Sequence, residues 1–442
     1  MANSFWQVIL FLLAGIVVII LLTTRFRVHA FFALLIASFV VGAGVQMPAA
    51  DILITIKQGF GNIMQSLGFI IVLGTTLGVL LEHTGSTRKM AQVILKRTGE
   101  RNAATGMSIT GFIVGLPLFC DSGFIVLSGL NKSLSRRTGT SLSIMSVSLA
   151  TGLYAVHCLI PPHPGAAAAA GTIGVDIGRL MITGIAVAIP GMIVGRWWAS
   201  KAGKKFKVQA PEETVDVPDE KEPSALNAFL PVIVPIILIA LKSIFSFEPG
   251  SASGLMHILS VLGDPVIALS VGVILAFGLN RLWHSVKFPA LFMEAAEKAG
   301  GILVIIGAGG AFGAILGATR IGDHISTAFN LHSPGIFFPF LLTFIIKTAQ
   351  GSSTVAIITA SSIVLPMLHI LGLDSENGKL LTVLAMGAGS MMISHANDAY
   401  FWVISKFSGL DMKTMLRVYT LSSVFMGLMT LLVVFIMSLI ML

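Results

Sequence analysis

Apolar runs of about twenty residues recur along almost the whole chain, and nothing constrains its fold more. One series falls at roughly 5–23, 28–46, 67–83, 138–160 and 177–199. A second falls at roughly 227–245, 264–281, 300–317, 378–396 and 416–440. About 20 apolar residues in helical form cross the hydrocarbon of a bilayer. No water reaches backbone N–H and C=O groups there, so a spanning segment must satisfy them internally, as a helix does. The expected fold class is therefore an all-α polytopic membrane protein with ten crossings. Composition agrees: of 442 residues, 55 % are apolar and only 11 % charged, against roughly 25 % charged in a soluble domain. That bias excludes an ordinary soluble fold, and it runs opposite to the bias of disordered chains.

The net charge is +8, which in a soluble chain would point to nucleic acid. Here the basic residues lie in short connections between apolar runs, the pattern of cytoplasmic membrane loops, so no nucleic-acid partner is expected. The first run lacks a basic n-region and a small-residue cleavage site, and Arg25 and Arg27 follow it. It reads as a retained span with the N-terminus outside. That orientation puts most of the 28 Lys and Arg on the cytoplasmic side, among them Arg88, Lys89, Arg97, Arg136, Arg137, Lys204, Lys205 and Arg281. The positive-inside rule favours it.

Two further apolar segments, about 101–136 and 333–370, are interrupted halfway, at Phe119-Cys120-Asp121-Ser122-Gly123 and at Ala349-Gln350-Gly351-Ser352-Ser353-Thr354. Each half is too short to cross alone, so both read as re-entrant hairpins. Such backbone survives at membrane depth only where protein or a water-filled cavity satisfies it. The polar stretch 200–226 reads as a flexible cytoplasmic linker between a first unit (1–199) and a second (227–442). The units share a plan. Gly74 to Gly78 resembles Gly309 to Gly313, each a small-residue stripe that lets helices approach closely. An amphipathic stretch, the hairpin and a small-residue span follow, with Gly152 matching Gly389. Five crossings per unit is an odd number, so the second unit enters from the opposite face and the repeat is inverted. Inverted repeats with discontinuous helices are the construction of many secondary transporters.

The chemistry gathers at four breaks. Pro161, Pro162 and Pro164 must interrupt the span 138–160, with Ala166 to Ala170 as a short second half-helix. The equivalent span breaks at Ser394-His395-Ala396-Asn397-Asp398. Asp121 and Asp398 are the two acids in apolar or small-residue surroundings, and a charge at membrane depth costs at least ~2.5 kcal/mol. Each reads as functional or as half of a helix-bridging ion pair. Ser352, Ser353 and Thr354 suit either a plain helix cap or, with free N–H groups, a carboxylate. Lys347, about a turn earlier, could pair with an anionic substrate or neutralise Asp121 or Asp398. His157, His163 and His395 read as hydrogen-bonded structural groups or as a proton relay. No zinc-site motif occurs. Gly307 to Gly313 only approximates a dinucleotide loop, and no phosphate-binding G-x-x-x-x-G-K-[ST] is present. No metal or cofactor is expected. Cys120 and Cys158 give no disulfide framework.

At these breaks the sequence resembles the gluconate permease family, within the wider ion-transporter superfamily. The residues that carry the likeness are Pro161-Pro162-His163-Pro164-Gly165, Gly351-Ser352-Ser353-Thr354-Val355-Ala356 and Ser394-His395-Ala396-Asn397-Asp398 with Phe401-Trp402. Phe119-Cys120-Asp121-Ser122-Gly123 looks like the family's acidic hairpin tip, and Gly263-Asp264-Pro265-Val266 adds a loop match. The resemblance implies proton-driven import of gluconate or a related sugar acid across a bacterial inner membrane, with D-serine as cargo of some members. The superfamily implies a homodimer whose hairpins and broken helices move past a fixed scaffold.

The expected function is thus a secondary importer of a small hydroxylated carboxylate. Ser122, Gly123, His163, Gly351, Ser352, Ser353, Thr354 and Asn397 are expected to hold the substrate, with Lys347 assisting. Asp121 is the first choice for the coupling proton, then Asp398, with His157 and His395 as relay candidates. Rival readings are a sodium-coupled carrier using freed carbonyls and Asp398, an intramembrane enzyme using Asp121, His157 and His395, and a channel.

Overall fold

The computed structural model describes residues 5–209, 223–244, 254–279, 288–319 and 335–442. Every described element is a helix. The first half contains α1 (Phe5–Thr24), α2 (Ala30–Gly44), α3 (Ala49–His83), α4 (Ser86–Thr98), α5 (Ala103–Gly115), α6 (Cys120–Thr138), α7 (Leu142–Leu159), α8 (Pro164–Ile173) and α9 (Ile177–Gly203). The second contains α10 (Ala225–Ile244), α11 (Gly254–Leu262), α12 (Pro265–Leu279), α13 (Phe288–Ala318), α14 (Phe337–Gln350), α15 (Ser353–Val364), α16 (Glu376–Met391), α17 (Ala399–Ser408) and α18 (Met412–Met441). Seven helices among the described residues are long and apolar enough to cross a membrane. Each of the ten expected spans coincides with a helix.

Several boundaries differ from expectation. Helices α3 and α13 begin at Ala49 and Phe288, well before the expected 67 and 300. Each has an N-terminal part interrupted by polar or charged residues, Lys57, Gln58 and Asn62 in α3 and Glu294, Glu297 and Lys298 in α13, which a hydropathy reading discards but a helix tolerates once an apolar remainder anchors it. The first interrupted segment breaks at 116–119, not 119–123, because Pro117 cannot continue α5. Cys120 to Gly123 therefore form the first turn of α6. The linker begins later than 200: α9 runs to Gly203, and Val208 is tied to the start of α7, its N–H donating to Ser141 Oγ at 3.0 Å. The rest of the expected linker, 210–222, lies outside the described residues, as do Arg281 and the first residues of the segment 333–370.

The exterior is apolar. On α1, Trp6, Leu10, Leu13, Val17 and Leu21 face outward while Val8, Leu12 and Ile19 are buried. In a bilayer this costs nothing, because lipid replaces a protein core on that side. The centre belongs to α7 and α16, which are buried almost all round. Packing partners come in corresponding pairs: α5 on α7 and α14 on α16, α7 on α9 and α16 on α18, α1 on α2 and α10 on α12. The longest contact runs between α3 and α13. The halves also interlock, with α15 on α8 and α17 on α6.

Small residues make the central contacts possible. A Cβ at Gly152 would lie 2.8 Å from Phe112 N, and one at Gly389 would lie 3.1 Å from Phe344 N. The two matched glycines thus do the same work in the two halves, letting α7 approach α5 and α16 approach α14. The stripes at Gly74 and Gly78 and at Gly309 and Gly313 admit Pro162 and Pro117, and Ile358 and Ser362, respectively.

This packing generates a stability prediction. Gly152→Val should destabilise the purified protein by at least about 1–3 kcal/mol, because backbone on the facing helix cannot yield. Gly61→Ala, where a Cβ meets nothing within 4 Å, should be neutral or stabilising. Thermal unfolding in detergent compares them, and equal effects would contradict the assigned contact.

Candidate functional site

Four chain breaks converge on one place. Between α5 and α6 the chain turns through 116–119, and Phe119 (φ −60, ψ 145) leads into α6. Asp121 sits in the first turn of α6, where the helix dipole favours an anion. Helix α14 ends at Gln350, and Gly351 at φ +87 turns the chain into Ser352, whose Oγ caps α15 by accepting Val355 N–H at 3.3 Å. The third break, 160–163, separates α7 from α8, and Pro164 occupies the first turn of α8, where its missing N–H is not needed. The fourth, 392–398, separates α16 from α17, with Asp398 as the cap.

These breaks are stitched together. Asn397 Nδ2 donates to Thr348 O at 2.7 Å, closing the C-terminal end of α14. A Cβ at Gly351 would lie 2.5 Å from Asn397 C, so the α14/α15 tip sits directly on the fourth break. His163 Nε2 lies 2.7 Å from Gly115 O, fixing the third break to the end of α5. Ser394 N donates to Ser423 Oγ at 3.0 Å, and Thr420 Oγ1 to Ser394 O at 2.6 Å. Residues Met415–Thr420 are π-helical. Such a bulge shifts helix register, and this stretch presents Tyr419 and Thr420 to the fourth break.

The strongest polar contact is buried. Lys347 Nζ lies 2.9 Å from Asp398 Oδ2, with the lysine side chain fully enclosed. Asp398 Oδ1 accepts Tyr400 N–H at 3.0 Å, and Ser394 Oγ donates to Oδ2. Ser394 Oγ also lies 3.1 Å from Tyr419 Oη. The cation thus occupies the last turn of α14 and the anion the N-cap of α17, each at the helix end whose dipole favours it.

Beside this network lies a cavity of about 470 Å3, within the range of about 300–1,000 Å3 usual for small-molecule sites. Of the expected site residues, Asp121, Ser122, His157, Gly351, Ser352, Ser353, Thr354, Asn397 and Asp398 line it. Gly123, His163, His395 and Lys347 do not. Gly123 packs on Leu153, His163 holds Gly115, and the backbone carbonyl of His395 accepts the N–H of Asp398 at 2.8 Å. Lys347 is committed to Asp398. His157 Nε2 is 3.5 Å from Thr354 Oγ1. Both cysteines are free and buried.

The wall also contains residues that sequence reasoning missed: Phe119, Tyr154, Gln350, Tyr400, and Lys298, Ile302 and Ile305 from α13. Gln350 stood inside the quoted motif, yet its two amide atoms are buried without a hydrogen-bond partner, as is His157 Nδ1. A buried orphan amide is costly, and this one lies in the cavity wall. Lys298 lies outside every motif, and only the crossing of α3 and α13 brings it here. No group of three or more metal-ligating side chains occurs among the described residues. The site therefore offers a carboxyl, hydroxyls, amides and helix N-termini, suited to holding a small polar anion.

Comparison with known proteins agrees with that inventory. The model of the family described as GntP family permease matches residues 7–440. The chain is 33 % identical over 439 residues to a gluconate permease of Pseudomonas aeruginosa, covering 97 % of each chain. It is also 33 % identical to the D-serine transporter DsdX of Escherichia coli, covering 95 % of each. Among solved structures, the YdaH transporter of Alcanivorax borkumensis superposes with a TM-score of 0.65 at 14 % identity, over 88 % of this chain and 89 % of that one. At that identity the likeness speaks to the fold alone. With its helical membrane architecture and a family match over nearly all its length, the chain belongs to the GntP permease family and is a multi-pass membrane transporter, not an enzyme.

Proposed function

We propose that this permease is a proton-coupled secondary importer of gluconate or a closely related sugar acid in a bacterial inner membrane. One observation carries this reading: the breaks of both halves meet on a single polar cavity whose walls hold Asp121, Ser352, Ser353, Thr354, Asn397 and the unpartnered amide of Gln350. A substrate with one carboxylate and several hydroxyls matches that set. The helix N-termini at Ser352 and Asp121 face the cavity, and hydroxyls can satisfy Gln350 and Thr354. The D-serine transporter among the relatives makes a small hydroxy-amino acid the second reading for the same site.

Asp121 is assigned the coupling proton. It lines the cavity and its hydrogen bond is the weak one from Cys120 Sγ at 3.8 Å, so its carboxyl is free to gain and lose a proton as cargo moves. Asp398 is the weaker choice, since Lys347 and Ser394 hold it as an anion. We assign Lys347 to neutralising Asp398 in place of binding substrate. His157 and Thr354 are the relay next to the cavity.

The paired packing of the halves supports an inverted repeat, with α5/α6 and α14/α15 as re-entrant hairpins and the broken helices as their partners. The carrier unit would then be these elements, sliding as an elevator against a scaffold that includes α3 and α13, in a homodimer. The ends of α6 and α9, rich in Arg136, Arg137, Lys204 and Lys205, meet where Leu142 N donates to Val208 O at 2.8 Å. That basic end is assigned to the cytoplasm, which puts the N-terminus outside.

Three outcomes test the proposal. Proteoliposomes should accumulate labelled gluconate under an inward proton gradient and not under sodium alone. Accumulation that follows sodium would replace the proton assignment, and uptake of D-serine without gluconate would replace the substrate. Asp121→Asn should abolish gradient-driven accumulation while gluconate counterflow persists, and normal accumulation by that variant would sink the assignment. Lys347→Met should cost about 3–5 kcal/mol of stability, since it strands a buried carboxylate. A thermally normal Lys347→Met protein would show that Asp398 does not depend on it.

A further inference from the structure

Resting on the carboxylate-carrier function proposed for the cavity, we propose that Lys298 receives the substrate's carboxylate, by exchange with Glu294. Lys298 is the one lysine or arginine among the described residues lining the cavity. The lysine of the quoted motif region, Lys347, is fully enclosed and paired, whereas the Lys298 side chain is 34 % exposed. An anion entering the cavity therefore meets Lys298 as its accessible cation.

In the structure that cation is held, not idle. Its Nζ lies 2.7 Å from Glu294 Oε1, one helical turn earlier on α13, and 3.8 Å from Glu82 Oε2 at the end of α3. Two carboxylates thus share one ammonium. Glu294 has a second partner, His83, whose Nε2 lies 2.8 Å from its Oε2. When a substrate carboxylate takes the ammonium, Glu294 keeps His83 and is not stranded. The exchange is carboxylate for carboxylate, so Lys298 keeps an anionic partner throughout, with Glu294 and Glu82 remaining beside it. Because α3 and α13 cross here and α3 runs on into the basic α4, the exchange site stands at the end of the cavity assigned to the cytoplasm. An elevator moving past α13 would carry its cargo to or from this lysine.

The competing explanation is that the Glu82–Lys298–Glu294 cluster merely braces α3 against α13. The two differ in sign. Equilibrium binding of labelled gluconate to the purified full chain in detergent measures the dissociation constant. Lys298→Gln should weaken binding about tenfold or more, as expected for losing a charge-assisted partner. Lys298→Arg should restore most of it. Glu294→Gln removes the competitor and should tighten binding. Unchanged affinity in Lys298→Gln overturns the proposal. So does weaker binding in Glu294→Gln, since a brace fails alike from either side. If Lys298→Gln does not insert, the opposite signs expected for Glu294→Gln still decide. Wild-type proteoliposome uptake checks the underlying function separately: if D-serine and not gluconate is taken up, the same variants are compared with labelled D-serine, whose carboxylate makes the same demand of Lys298.

Discussion

The buried ion pair between Lys347 and Asp398 is the contact on which the site depends. Two charges removed from water are expensive, and a membrane interior offers no water to soften the cost. Their attraction alone does not meet it. What makes the pair tenable is its place at two helix ends, with Lys347 in the last turn of α14 and Asp398 capping α17. Ser394 and the Tyr400 N–H satisfy the remaining carboxylate acceptors. The tip of one helical pair and the break of the neighbouring helix therefore cannot move apart without stranding a charge.

From that anchor the rest of the site follows. Asn397, next to Asp398, reaches back to the carbonyl of Thr348, so two consecutive residues bind the same tip. Gly351 has no side chain to separate the tip from Asn397. In the first half the corresponding tie is uncharged, between His163 and the carbonyl of Gly115. The first-half tip instead carries an acid, Asp121, with no cationic partner among the described residues. The two halves thus share a plan but divide the work: one locks a charge pair, the other leaves a carboxyl facing the cavity. That asymmetry is what the proposed coupling requires, since a group that is to titrate must not be neutralised permanently.

The breaks were legible because prolines, glycines and polar residues inside apolar runs have few other meanings. The pattern of Pro161, Pro162 and Pro164 located the third break, and Ser352 capped the helix it was expected to cap. The match between Gly152 and Gly389 proved to be a match in packing as well. Less legible was where the first tip lay, because Phe119 to Gly123 carries the polar residues while Pro117 ends the helix. The early starts of α3 and α13 were also hidden, since hydropathy marks what a membrane holds and not where a helix begins.

The sequence by itself determined the helical membrane fold, the four breaks and most of the cavity's polar residues, since these follow from local rules of backbone satisfaction and the cost of charge in lipid. Which cation faces the cavity was decided by the tertiary structure alone. Lys347 stands in an apolar run just before the motif tip and Lys298 among Glu294 and Glu297, yet those neighbours do not say which of the two lysines is left open to the cavity. Only the docking of α14 onto α17 encloses the first against Asp398, and only the crossing of α3 and α13 leaves the second at the cavity wall, shared between Glu82 and Glu294.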